Sequence, residues 1–166
     1  MKIMIASDVH GSSYYAEKIK GTFEKEGAEL LVLLGDIYNP GPRNPIEKVR
    51  EYAPLKVAET FNSVKDRLMV IKGNCDSQVD TLISEFYFAE EGVILEGGKR
   101  ITLTHGHILN KDNIPPAYRD AIIYEHVHTG FIIKEHALKI ANPGSVTTPQ
   151  NCIDTPYPTL HDVTII

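Results

Sequence analysis

Three apolar runs in the first half of the chain each stop abruptly before an acidic or amide residue. Lys2 to Ser7 runs into Asp8-Val9-His10-Gly11, Leu30 to Leu34 into Gly35-Asp36, and Leu68 to Ile71 into Gly73-Asn74-Cys75-Asp76. Short unbroken apolar segments bounded by turn residues read as strands buried on both faces, as in a parallel sheet. Each would deliver the polar residues that follow it to its carboxyl end.

The intervening segments fit that frame. Tyr15 to Glu26 carries Ala16, Ile19, Lys20 and Phe23 at helical spacing, and Gly27 closes it. Asn39-Pro40-Gly41-Pro42-Arg43-Asn44-Pro45 is a loop, and Glu47 to Lys65 reads as mostly helical, with Pro54 expected to kink or restart it. Strand and helix in alternation imply parallel βαβ units. From Phe86 onward the helical spacing disappears. Val93 to Leu95, Arg100 to Thr104, Ala121 to Tyr124, Ile132 to Lys134, Leu138 to Ala141 and Val163 to Ile166 read as strands. The expectation is an α/β fold, a sandwich of two sheets with helices outside. No linker or repeat divides it, so residues 1–166 are expected to form one domain.

Composition narrows the function classes. In 166 residues, 42% are hydrophobic and 23% charged, which excludes disorder and fibrous repeats. The net charge is −5, without a basic block to follow a phosphate backbone, so long nucleic acid is not an expected partner. The apolar run after Met1 is too short for a signal peptide or a membrane span, which leads us to expect a cytoplasmic protein with no membrane partner. Cys75 and Cys152 make no paired zinc motif and are expected to be reduced.

Seven metal-competent residues fall at strand ends or in loops: Asp8, His10, Asp36, Asn74, His105, His126 and His128. Asp8 and His10 are two apart, so on an extended segment both would point to one side, and His126 and His128 repeat the spacing. Asp36 offers two carboxylate oxygens, enough to bridge ions roughly 3.5–4 Å apart, and Asn74 adds a neutral oxygen. Ligation by oxygen and nitrogen without thiolate suits Mn²⁺, Fe or Zn²⁺ in a catalytic site, with Ni²⁺ and Co²⁺ also compatible. Two such ions can bind phosphoryl oxygens and lower the pKa of a bridging water, so that hydroxide exists near neutral pH.

Asp8-Val9-His10, Gly35-Asp36, Gly73-Asn74-Cys75-Asp76, His105-Gly106-His107 and His126-Val127-His128 resemble, in order, the five sequence blocks of the calcineurin-like metallophosphoesterases. The length, Cys75, the Gly41-Pro42-Arg43-Asn44 loop and Asn142-Pro143-Gly144-Ser145 are similar to the compact bacterial and archaeal phosphodiesterases of that family. The resemblance implies a four-layer αββα sandwich and a small phosphodiester substrate. It implies two divalent ions, expected to be Mn²⁺: one held by Asp8, His10, Asp36 and His128, the other by Asp36, Asn74, His105 and His126.

Asn74, Cys75 and His107 are the catalytic candidates. Cys75 stands where many relatives have a His thought to protonate the leaving group, which places monoester hydrolysis in question. His107 is read either as a contact to substrate phosphate or as a loop hydrogen-bonding residue. Arg43 is read as a surface residue ahead of a phosphate contact, and His136 and His161 as lying outside the site. One departure is Glu125, where the family usually has Gly. It is expected to restrict the backbone and to bring a negative charge near the metals. The competing expectation is a metal-binding interaction scaffold of the same fold with little turnover, and self-association into a homo-oligomer is left open.

Overall fold

The computed structural model describes residues 1–42, 44–118 and 120–147, together with the strands at 159–160 and 163–165. Arg43, Cys152 and His161 lie outside the described residues.

The chain opens with β1 (Ile3–Ala6), α1 (Ser13–Lys25) and β2 (Leu30–Leu33), followed by α2 (Pro54–Asn62) and β3 (Leu68–Ile71). Ser12 caps α1, its hydroxyl accepting the Tyr15 N–H at 3.3 Å. Pro54 sits in the first turn of α2, where its missing N–H removes no helical bond. It therefore restarts the helix, and the stretch before it holds only a single 3₁₀ turn at Ile46–Lys48, so the helix is shorter than the predicted Glu47 to Lys65.

With β4 (Phe88–Ala89), β10 (Thr159–Leu160) and β11 (Val163–Ile165), these strands form a six-stranded sheet ordered β10-β11-β1-β2-β3-β4. It is parallel from β11 to β4, with β10 antiparallel at its edge. The predicted second-half strands appear as β5 (Gly92–Glu96), β6 (Lys99–Leu103), β7 (Ala121–Ile123), β8 (Phe131–Glu135) and β9 (Leu138–Asn142). They form a sheet ordered β5-β6-β7-β9-β8, parallel in the middle and antiparallel at both edges.

Period-two alternation divides β1 and β2 between two cores. Met4, Ala6, Leu31 and Leu33 pack with Ala16, Ile19 and Phe23 of α1 and Val57 and Phe61 of α2. Ile3, Ile5, Val32, Leu34 and Ile71 pack instead with Ile94, Leu103, Ile123 and Ala141 of the second sheet. The sheets thus face one another, with the helices on the far side of the first. On the outer face of the second sheet, Ile114 and Tyr118 pack against Ile122, Tyr124 and Ile140. Burying each large aliphatic side chain stabilises the sandwich by roughly 1.5–3 kcal/mol. It also brings the carboxyl ends of β1, β2, β3, β6 and β7 to one rim.

Candidate metal centre

At that rim the backbone ladder outlasts the strands. Leu34 N–H donates to Ala6 O (2.9 Å), Asp8 N–H to Gly35 O (3.1 Å), His10 N–H to Asp36 O (2.9 Å) and Gly11 N–H to Ile37 O (2.8 Å). The first two polar loops are therefore held in register. The third is fastened by Asp76, a residue to which the sequence reading gave no role. Its buried carboxylate accepts the N–H groups of Asp36, Ile37 and Gly73, each at 2.8 Å. Even with those donors, burial pushes its pKa up to about 6. The loops touch where glycine leaves room: a Cβ on Gly73 would lie 2.1 Å from Asp36 Oδ1, and one on Gly35 2.5 Å from Gly73 N.

All seven residues picked from the sequence converge here. Asp8 Oδ1 lies 3.4 Å from His10 Nε2 and 3.7 Å from His128 Nε2. Beside that group, Asp36 Oδ2 is 3.6 Å from His105 Nε2, which is 2.9 Å from Asn74 Oδ1 and 3.3 Å from His126 Nδ1. Asp36 joins the two groups, its carboxylate lying within 4.8 Å of ligand atoms of Asp8 and His105 and, in a second cluster, of His10 and Cys75.

The hydrogen bonds show what these atoms lack. His105 Nδ1 is 2.6 Å from Leu34 O, a carbonyl that can only accept, so Nδ1 carries the ring proton. Burial holds the ring neutral, its pKa lowered to about 4. Nε2 then carries only a lone pair, which faces Asn74 Oδ1, another acceptor, at 2.9 Å and His126 Nδ1 at 3.3 Å. His10 repeats the device with Nδ1 donating to Asn39 O at 2.8 Å. Its Nε2, like both oxygens of Asp8, is buried without a hydrogen-bond partner. Acceptors facing acceptors in a buried site are costly unless a cation lies between them, and metal-binding histidines commonly fix their tautomer through such a carbonyl. The donor set fits divalent metals.

The extended-segment reading of the two paired motifs is corrected. Asp8 (φ 57°), His10 (49°), Asp36 (55°), His126 (67°) and His128 (56°) occupy the left-handed region, five of the eight non-glycine residues that do so among the described residues. Each such residue costs about 1–2 kcal/mol, strain of the kind that collects at functional sites. The turns send His126 toward His105 (ring centroids 5.2 Å apart) and His128 toward His10 (5.9 Å), so the second pair divides between the two groups.

The backbone part of the expectation for Glu125 is also corrected. Its φ is not positive, so no glycine is required there. Its side chain is fully buried and does not line the cleft over the site. It faces Asp8 in the interior, without an aligned hydrogen bond to either of its oxygens. Burial first, and Asp8 second, raise the Glu125 pKa, while burial raises that of Asp8 to about 7.

The calcineurin-like phosphoesterase superfamily domain matches residues 1–162. The chain belongs to this superfamily. It is accordingly a metal-dependent phosphoesterase. Phosphodiesterase YfcE of Escherichia coli K12 is 40% identical over 153 residues, covering 90% of this chain and 82% of the relative. A solved structure of the E. coli phosphoesterase Yfce superposes with a TM-score of 0.86 at 37% identity, covering 94% of this chain and 85% of that one. A zinc complex of Vps29 from Entamoeba histolytica shares the fold alone, with a TM-score of 0.54 at 18% identity over 98% of this chain and 87% of that one.

In this phosphoesterase a cleft of about 520 Å³ opens over the site, walled by Pro40, Gly41, Pro42, Asn44, Cys75 and Val127 as well as by candidate ligands. Cys75 is half-buried, and burial with Asp36 beside it pushes the thiol up to about 12. His107 is exposed, its ring 5.4 Å from that of His105 and 6.1 Å from that of His126. The Asn142 to Ser145 turn reaches the site through its neighbours: Val146 N–H donates to Ser7 O (3.3 Å) and Thr147 Oγ1 to Asp8 O (2.5 Å). His136 is exposed in the turn after β8, away from these groups.

Proposed function

We propose that this phosphoesterase is a phosphodiesterase acting on a small diester with two divalent ions. Asp8, His10, Asp36 and His128 would hold one ion, and Asp36, Asn74, His105 and His126 the other. The observation that carries the reading is the sign of the cleft. Its described lining includes Asp36 and three histidines but no Lys or Arg, and Asp8 lies just behind it. Such a wall repels a phosphate anion unless cations stand between them. Bound ions would supply Lewis acidity toward the phosphoryl oxygens and generate a nucleophile from water near neutral pH.

The chain's own groups orient that chemistry. Cys75 N–H donates to Asp36 Oδ1 at 2.8 Å and fixes the carboxylate between the two groups. His105 and His10 are each locked by a backbone carbonyl so that Nε2 faces the site. Asn74 directs Oδ1 toward His105 and the exposed His107 stands at the rim, where it would contact the phosphate. Diesters are favoured because Cys75 stands where a proton donor to a poor leaving group would be needed, and a thiol near cations donates poorly. The 40% identity to a named phosphodiesterase supports the same substrate class. A scaffold without turnover is not favoured by that relationship.

We further infer that one domain, residues 1–166, carries the site, since both sheets contribute to one core and to the rim. Mn²⁺ is the proposed metal, in keeping with oxygen and nitrogen donors. The cytoplasm is the proposed location, a reducing compartment suited to the free thiol of Cys75. Hydrolysis of bis(p-nitrophenyl) phosphate and p-nitrophenyl phosphate should be measured with Mn²⁺, Ni²⁺, Co²⁺, Zn²⁺ and Mg²⁺. The expected result is diester cleavage with Mn²⁺ exceeding monoester cleavage. A metal-loaded chain that cleaves no ester would sink the reading.

A further inference from the structure

The proposed function gives the Cys75 sulfur no direct contact with metal or substrate, yet the thiol lines the cleft beside the candidate ligands. Its Sγ, His10 Nε2 and an Asp36 carboxylate oxygen all lie within 4.8 Å of one another. Independently of the thiol, His10 points to a cation at this place. The residue is 1% exposed, Nδ1 is committed to Asn39 O, and Nε2 has no hydrogen-bond partner. Asn74 Nδ2 donates to the sulfur at 3.3 Å while Asn74 Oδ1 faces His105, so one amide would serve a negative sulfur and the neighbouring ion together. The loop above confines the sulfur, for a Cβ on Gly41 would come within 2.8 Å of it.

We propose that Cys75 Sγ is a conditional metal ligand that joins His10 and Asp36 around a thiophilic divalent ion such as Zn²⁺, Cd²⁺ or Co²⁺ and stands aside for Mn²⁺ or Mg²⁺. The inference rests on the metal-site reading above. Thiolate is a soft donor that discriminates between these ions where carboxylate and imidazole discriminate less. As the sulfur–metal bond forms, the thiol proton leaves to solvent, and binding becomes pH-dependent. Sulfur also fills a coordination position on the cleft side. His10, Asp36 and Cys75 with Asp8 or His128 would make a four-coordinate set of the closed, structural kind, leaving no open position for substrate. Soft ions would bind more tightly at this position and hold the enzyme inactive.

The test is a Co²⁺ titration of the metal-free full-length chain, followed by absorption. Visible cobalt bands report occupancy, and a near-ultraviolet sulfur-to-cobalt charge-transfer band reports the Cys75 bond. Both are expected in the wild type, and only the visible bands in Cys75→Ser and Cys75→Ala. Visible bands without charge transfer in the wild type would overturn the sulfur ligand while leaving the metal site standing. No cobalt bands at all would overturn both. In calorimetry Cys75→Ala should weaken Cd²⁺ binding on the order of tenfold or more, the scale on which metal sites respond to lost supporting groups, and leave Mn²⁺ binding in place. Equal weakening of both ions would mark the thiol as packing only and overturn the proposal.

Discussion

The candidate ligands that follow β1 and β2 are built differently from those that follow β7. Asp8, His10 and Asp36, at the ends of β1 and β2, are at most 3% exposed, and backbone bonds run from loop to loop beneath them. His126 and His128, after β7, are partly exposed in a loop fastened by Glu125 N–H to His105 O (2.8 Å) and Asn142 Nδ2 to Glu125 O (3.1 Å). The first group is a frame fixed before any ion arrives. The second is more open to solvent, and we infer that it adjusts to the ion. Substitution in the frame should therefore abolish function in a way that added metal cannot repair, whereas substitution in the adjustable loop should chiefly change affinity.

Asp36→Asn against His128→Asn tests this contrast most severely. Asparagine at 36 keeps an oxygen for Cys75 N–H, so the loop should survive, but it loses the charge and one of the oxygens facing two groups. The expected loss in kcat/KM is at least about 10²-fold and persists at high Mn²⁺. His128→Asn should lose about tenfold or more at low Mn²⁺ and recover as Mn²⁺ is raised, because its defect lies in affinity. His136→Ala, in an exposed turn, should change neither quantity. If excess metal restored Asp36→Asn as fully as His128→Asn, the rigid frame and the adjustable loop would not be distinct.

Stability should divide along the same line. Asp76→Ala leaves three N–H groups without their carboxylate, and at about 1–3 kcal/mol for each buried donor the loss should be at least roughly 3 kcal/mol. Asn142→Ala on the second sheet removes two bonds, to Glu125 O and from Gly144 N–H, and should cost about 2 kcal/mol. Denaturant midpoints of the metal-free variants give the comparison. A larger loss for Asn142→Ala would reverse it.

The frame was the more legible half in the sequence. Apolar runs ending in Asp8, Asp36 and Asn74 announce buried strands and what they deliver, because burial on both faces leaves no polar positions to confuse the pattern. The boundaries of α2 were less legible, since the proline that starts the helix stands inside a longer stretch of helix-forming residues. The division of His126 and His128 came from the family resemblance and not from their spacing, because two-residue spacing suggests a common direction only for an extended chain and their left-handed φ values leave no mark on composition. Asp76 could have been suspected from its place three residues after Gly73, the reach of a side chain that caps its own loop. The interior placement of Glu125 had no such signal. It depends on contact with Asp8, 117 positions away in the chain.

Glu125 and Asp8 also provide the smallest and most conditional test, in which the two sheets meet through their carboxyls. An acid whose folded pKa lies above its unfolded value keeps its proton longer in the fold. Its contribution to stability is then complete below the unfolded pKa and is lost as pH rises through the folded one. Burial places both groups in this class, with Asp8 reaching about 7. In chelator, the wild type should therefore lose stability between about pH 4 and pH 7, and Glu125 should extend the loss to higher pH. Glu125→Gln cannot ionise, so its thermal midpoint should fall less on the alkaline side. Divalent cations should oppose the decline by favouring charged Asp8, in wild type and variant alike. A wild-type midpoint that rose across the same interval without metal would show that the two carboxyls are already charged in the fold, and that Glu125 meets Asp8 through donors other than its own proton.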